Sequence, residues 1–247
     1  MSGKKIVYTL ATNNCIDGKY RDLSIPCIER YCEAVGAEFK IETELHPRIL
    51  NPNYFWHRLP YALDYINSGY DQVMHLDLDI LISSSAGNIF QEMSNLGGDV
   101  FAIKGHQWRL NKAVRRSLLS LPIEFRTFFN CGVLGFSNTS RAVKFLEAYE
   151  ELSNTGDCHL PENRLSVSHA GLDNLGRIDY TAMNYEQPAI FASAWHSKVP
   201  VTFLPRAWNF PYSGLNKNSN VFICHYTNKK HLMGSAKDKF LKHNETY

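Results

Sequence analysis

Asp77 and Asp79 stand one residue apart in the run His75-Leu76-Asp77-Leu78-Asp79-Ile80, otherwise an apolar stretch. Gln72-Val73-Met74 leads into it and Leu81-Ile82 follows, so the pattern predicts a buried strand whose tip emerges at a sheet edge. Alternate residues of a strand share a face, and both carboxylates would then point the same way. Like charges that close repel, and one pKa rises unless a cation or donor sits between them. A divalent metal answers that need. Hard oxygen ligands suit magnesium or manganese, which bind through one or two carboxylates plus substrate phosphates. The other reading of a bare Asp-x-Asp is a strand running out into a solvated turn, where Asp is common.

The surrounding elements would have to position this pair. Lys4 to Thr12 reads as a first strand, and apolar residues at 25, 28, 32 and 35 predict a helix over Ile25 to Val35. A short strand follows at 37–42, and Leu59, Leu63 and Ile66 form one stripe of a helix over Trp56 to Asn67. Beyond the acidic strand come a strand at 99–104, a helix at 110–121, a strand at 128–136 and a helix at 140–152. Residues 153–180, broken by Gly156, Pro161, Gly171 and Gly176, read as a long loop of the kind that often serves function. A helix over Thr181 to Trp195 despite Pro188, a strand at 199–204 and a last strand at 221–225 complete the pattern. Strands alternating with helices indicate an α/β sheet with a mixed edge, in one domain spanning 1–247 with a polar tail from about 232.

Composition narrows the function classes. The 247 residues are 44% hydrophobic, enough to bury a core. Lys plus Arg number 26 against 24 Asp plus Glu, a balance without the basic footprint of a nucleic-acid binder. The start, Met1-Ser2-Gly3-Lys4-Lys5 running into Ile6, is too short and polar-ended for a signal peptide or a membrane span. Cysteines at 15, 27, 32, 131, 158 and 224 form no Cys-x-x-Cys pair, so neither zinc nor a disulfide framework is suggested and a cytoplasmic setting is expected. Asn244-Glu245-Thr246 matches a glycosylation sequon, which without an export signal is read as chance.

Four segments occur in a recognisable order: Asp77-Leu78-Asp79, Phe129-Asn130-Cys131-Gly132-Val133-Leu134, Glu186-Gln187-Pro188-Ala189, and His225 after Val221-Phe222-Ile223-Cys224. Together they resemble the GT-A nucleotide-sugar glycosyltransferases, specifically the retaining family 8 that includes glycogenin and the lipopolysaccharide galactosyltransferases, over roughly residues 5–231. The resemblance implies a Rossmann-like mixed central sheet flanked by helices. It also implies a nucleoside diphosphate donor, with UDP-sugar expected, and a glycan, lipid-linked or protein hydroxyl acceptor. Asp79 and His225 match metal ligands, and Asp77 matches a residue bridging metal and ribose, with Mn2+ expected and Mg2+ an alternative. Arg58 matches a basic residue at the donor sugar and phosphate, although a surface salt bridge explains it as well. Asn130 matches an amide on the sugar hydroxyls, with Gly132 letting the backbone approach. Glu186-Gln187 matches a carboxylate-amide pair beside the anomeric carbon.

The sequence departs from that pattern in two places. The family's terminal His-x-x-Gly-x-x-Lys becomes His225 with Asn228 and His231, leaving Lys229, Lys230 or His231 as candidates for the phosphate charge. At the end of the first strand the usual nucleotide contacts are replaced, and Thr9, Ala11 and Asn13 alternate where open α/β sheets place ligands. Trp56, Trp108, Trp195 and Trp208 offer faces for an acceptor sugar or serve packing, and Lys104 to Arg116 borders the acceptor or forms a solvated helix. Two further classes stay open. One is a haloacid-dehalogenase-type phosphatase, disfavoured because its Asp-x-Asp lies near the chain start; the other is a non-catalytic nucleotide-sugar-binding module.

Overall fold

The structure is a computed structural model that describes residues 3–11, 16, 18, 20–51, 54–105, 123–125, 129–155, 157–158, 178–179, 187–211 and 221–226. Lys5–Leu10, β-branched and aromatic at its centre, forms β1. It lies between two parallel neighbours, β2 (Glu38–Glu42) and β3 (Gln72–Leu76). The expected acidic strand is not continuous: it breaks after Leu76 and resumes as β4 (Ile80–Ile82), a member of a second sheet. β5 (Val100–Lys104) and β6 (Phe129–Ser137) extend the first sheet. Within the 153–180 stretch, expected to lack regular structure, β7 (Asp157–Cys158) and β8 (Ile178–Asp179) pair as a two-residue ladder. β9 (Val201–Leu204), β10 (Phe210–Pro211) and β11 (Ile223–His225) follow.

The main sheet has the order β2-β1-β3-β6-β5-β9. β6 runs antiparallel to both of its neighbours, and the other adjacent pairs are parallel. The carboxyl end of β3 therefore meets the middle of β6, in the register Leu76 opposite Val133. Asp77 emerges from a central strand at this end rather than at a lateral edge. The second sheet, β10-β11-β4, sits next to that junction.

Helices cover both faces, and strand alternation decides which residues each face receives. Ile6, Tyr8, Val73, Leu134 and Phe136 pack with α2 (Arg58–Asn67), α4 (Ser140–Thr155) and α5 (Gln187–Ser197). Val7, Met74, Leu76, Phe101 and Val133 pack with α1 (Ile25–Val35), α3 (Ile89–Leu96) and the small sheet. α1 ends at Gly36, which adopts φ +66°, a left-handed stop that glycine takes without a Cβ clash. Pro188 fits α5 because it is the second helical residue, where no intrahelical N–H bond is lost. α3 has no counterpart in the sequence expectation. It starts because the Asn88 side chain accepts hydrogen bonds from the Phe90 and Gln91 N–H groups at 3.0 and 3.2 Å. The expected helix at 110–121 lies outside the described residues.

Candidate functional site

Asp77, Leu78 and Asp79 form the bend that carries the chain from β3 into β4. Leu78 is buried beside Ala11 and Ile25, which anchors the middle of the bend. Backbone bonds fix its two ends: Asp77 N–H donates to Gly132 O at 2.9 Å, and Tyr226 N–H donates to Asp79 O at 2.7 Å. One acid is thus tied to β6 and the other to the end of β11. The antiparallel β4–β11 register sets His225 opposite Ile80, and the His225 ring reaches back to the acids. His225 Nε2 lies 2.9 Å from Asp79 Oδ1 and 3.6 Å from Asp77 Oδ2. The shared strand face expected from the sequence is replaced by convergence across a bend held at both ends.

Arg58 enters from the start of α2. Its guanidinium contacts Asp77 Oδ1 at 2.8 Å and lies over the Phe55 ring at 4.9 Å, while its carbonyl accepts the Tyr8 hydroxyl at 2.8 Å. Arg58 is buried, so the surface-salt-bridge reading fails. Charges and burial split the two acids. Burial pushes Asp77 above its ordinary value against the pull of Arg58, with the nearby Asp79 charge adding to the rise. Burial also opposes ionisation of Asp79, but His225, through charge and hydrogen bond, together with Arg58 outweighs it and holds Asp79 low. For His225, burial favours the neutral ring, yet Asp79 and then Asp77 raise its pKa.

The three side chains fit a divalent cation. Ligand atoms of Asp77, Asp79 and His225 all lie within 4.8 Å of one another. Adjacent ligands of a six-coordinate ion at about 2.1 Å would stand about 3.0 Å apart, close to the spacing of His225 from the two carboxylates. Two carboxylate oxygens and one imidazole nitrogen make a donor set that a divalent cation can use. Behind the ring, His225 Nδ1 lies 2.9 Å from Asn209 Oδ1. Sequence reading missed Asn209, which closes the 3-10 turn Arg206–Asn209; no spacing rule marks it.

No protein-family model matches the chain, and no curated protein matches it. Solved structures do. A glycosyltransferase involved in the glycosylation of the major capsid of PBCV-1 aligns with a TM-score of 0.61 at 11% identity, covering 93% of this chain and 99% of that one. Mouse xyloside xylosyltransferase 1 aligns with a TM-score of 0.54 at 11% identity, over 90% and 97% of the two chains. The galactosyltransferase LgtC, in complex with donor and acceptor sugar analogs, gives 0.52 at 12% identity over 94% and 95%. The chain has the GT-A fold.

On this GT-A fold Gly132, Asn130 and Thr9 have surroundings that their sequence assignments did not include. Gly132 lies against the His225 ring: a Cβ would sit 2.4 Å from Cε1 and 2.8 Å from Nδ1. Its missing side chain therefore makes room for the histidine, a use that the expected sugar approach did not include. Asn130 Oδ1 accepts from Gly132 N–H at 2.7 Å and from Asn209 Nδ2 at 2.7 Å, so its amide is part of the scaffold behind His225. Thr9 is fully buried within β1, with its hydroxyl lacking a hydrogen-bond partner; that enclosure does not fit a nucleotide contact at the strand tip. Ala11 follows the end of β1 and packs on Leu78. Gln187 is placed as the first residue of α5. Asn13, Glu186, Lys229, Lys230, His231 and Trp108 lie outside the described residues.

Trp56 and Trp208 are core residues, which removes them as acceptor platforms. Trp195 packs partly buried against the α2–α4–α5 core, with Lys198 Nζ 3.1 Å from its ring centroid. His75, in the strand before the acids, is fully buried; burial and then the Arg58 charge hold it well below its ordinary value. Cys27, Cys32, Cys131 and Cys224 are buried. Among the described residues no helix is long and apolar enough to cross a membrane.

Proposed function

We propose that this protein is a divalent-metal-dependent glycosyltransferase that moves a sugar from a nucleoside diphosphate donor, a UDP-sugar, to a hydroxyl acceptor with retention of anomeric configuration. The observation that carries the reading is the convergence of Asp77, Asp79 and His225 beside the carboxyl end of a central strand, where α/β sheets bind ligands. The GT-A fold shared with proteins described as glycosyltransferases supports sugar transfer.

In this reading Asp79 and His225 hold the cation, with Mn2+ favoured over Mg2+ because one ligand is an imidazole nitrogen. Asp77 shares the cation and faces the donor ribose. The bound metal supplies Lewis-acid stabilisation of the diphosphate leaving group. Arg58 holds Asp77 in place with its fork and lends positive charge to the donor side of the site. Gln187 and Glu186 flank the anomeric carbon, and Lys229, Lys230 or His231 meets the diphosphate. The acceptor is a glycan, a lipid-linked sugar or a protein hydroxyl. Residues 1–247 act as one catalytic domain, and cysteines that form no Cys-x-x-Cys pair in the sequence favour a reducing, cytoplasmic setting.

Thermal-shift measurement tests the reading, since a ligand that binds only the folded state raises its apparent stability. UDP-, GDP- and other nucleoside diphosphate sugars are screened with and without Mn2+. A melting-temperature rise that requires Mn2+ and a UDP-sugar together is expected. No metal-dependent shift with any donor would overturn the proposal.

A further inference from the structure

Gly132, Asn130, Asn209 and His225 form a hydrogen-bond chain whose direction is fixed at one end by the backbone. The Gly132 N–H can only donate, and it reaches the Asn130 side chain at 2.7 Å, so Asn130 must turn its oxygen toward Gly132. Asn209 approaches that same oxygen at 2.7 Å and must offer it the NH2 group. The carbonyl end of the Asn209 amide then faces His225 Nδ1 at 2.9 Å. An amide oxygen only accepts, so Nδ1 carries a proton. One backbone amide thereby settles both side-chain amide orientations and the proton position on an imidazole two side chains away.

The proton has a competing place. Nε2 faces Asp79 Oδ1 at 2.9 Å and Asp77 Oδ2 at 3.6 Å, and those carboxylates favour a proton on that nitrogen. A neutral ring has one N–H, and the hydrogen bond at one nitrogen decides the state of the other. Asn209 and His225 are both buried, which limits the means for water to take over the acceptor. The backbone around Asn209 is tied to β11: Phe222 N–H donates to Ala207 O at 2.8 Å, and Phe210 pairs with Cys224.

We propose that Asn209 is a positioning residue that sets the tautomer of His225, keeping the neutral ring protonated on Nδ1 so that the Nε2 lone pair is presented to a divalent cation between Asp77 and Asp79. The inference rests on the metal reading of the site, but the tautomer is measurable without metal.

Long-range proton–nitrogen NMR of the metal-free, nitrogen-15-labelled full chain reads the ring directly, with His225 assigned by the signal lost in His225→Gln and the pH set above the ring's titration. The expected wild-type spectrum shows a protonated Nδ1 and an unprotonated Nε2. In Asn209→Leu the proton moves to Nε2, and Mn2+ affinity followed by electron paramagnetic resonance falls about 10- to 100-fold, the usual effect of losing an outer-shell partner. Asn209→Asp retains an acceptor for Nδ1–H and keeps the wild-type tautomer. If Asn209→Leu does not fold, Asn130→Leu tests the same chain, because the Asn209 amide is then free to turn its NH2 toward the ring. A wild-type ring protonated on Nε2 overturns the proposal, as does an Asn209→Leu protein with unchanged tautomer and Mn2+ affinity. A wild-type ring protonated on Nδ1 in a protein that binds no Mn2+ keeps the relay and removes the metal reading beneath it.

Discussion

Gly132 and His225 are in contact at a distance that only glycine permits: a Cβ on residue 132 would lie 2.4 Å from the imidazole Cε1. The ring has little means of retreat. It is buried and held by Asn209 on one side and Asp79 on the other. Gly132→Ala is therefore expected to destabilise the fold by about 1–3 kcal/mol, the ordinary cost of overpacking, and to weaken Mn2+ binding by swinging Nε2 away from the acids. Denaturant unfolding and Mn2+ titration check the two effects; an alanine variant with unchanged metal affinity would show that the ring tolerates the methyl group.

Asp79 and Asp77 should respond unequally to mutation. Asp79 makes the close contact with His225 and keeps a low pKa, whereas Asp77 is shared with Arg58 and is raised by burial. Asp79→Ala is expected to abolish metal-dependent UDP binding, and Asp77→Asn to weaken it by about tenfold, roughly 1.4 kcal/mol. Calorimetric titration of Mn2+ and UDP measures both. Undiminished affinity in Asp79→Ala would remove the central site assignment.

Metal affinity should rise with pH. A ligating imidazole must be neutral, and the acids raise the His225 pKa despite burial, so the competing proton persists above the usual histidine value of 6.5. Below the raised pKa, Mn2+ affinity is expected to fall by about tenfold per pH unit, one proton being displaced. The linkage to metal-free stability has the opposite sign. A raised folded-state pKa contributes stability that is full below 6.5 and is lost as pH rises through the raised value. Mn2+ titrations and metal-free melting curves from pH 6 to 9 should therefore show opposite contributions from His225, and both should disappear in His225→Gln.

Retention is the expected stereochemical outcome. An inverting enzyme needs a general base on the far side of the sugar; in a retaining front-face reaction the departing phosphate oxygen takes the acceptor proton. On the proposal that Gln187 stabilises the positive charge that develops on the sugar, Gln187→Ala should reduce kcat by about 100- to 1000-fold with a smaller change in donor affinity. Proton NMR of the first product's anomeric signal reads the configuration, and an inverted product would overturn this mechanism while leaving the proposed metal site untouched.

The sequence by itself determined the elements with strong periodicity and the identities of the metal-ligand candidates. Ile25, Ile28 and Cys32 are buried along one face of α1, and Leu59, Leu63 and Ile66 do the same on α2, because a single buried face leaves a 3.6-residue trace in the chain. Asp77 and Asp79 were legible because two acids break an apolar pattern, whereas His225 was marked only by the family resemblance. Only the tertiary structure decided how they meet. β3 ends at Leu76, and a bend carries the acids out of the main sheet; an apolar run on both sides hides such a break, since burial in either of two sheets selects the same residues. The same holds for Gly132, Asn209 and Arg58. Their roles depend on a missing Cβ, a side-chain amide and a guanidinium meeting partners 93, 16 and 19 positions away in the chain, and contact between residues that distant is set by strand order and register, which no local pattern encodes.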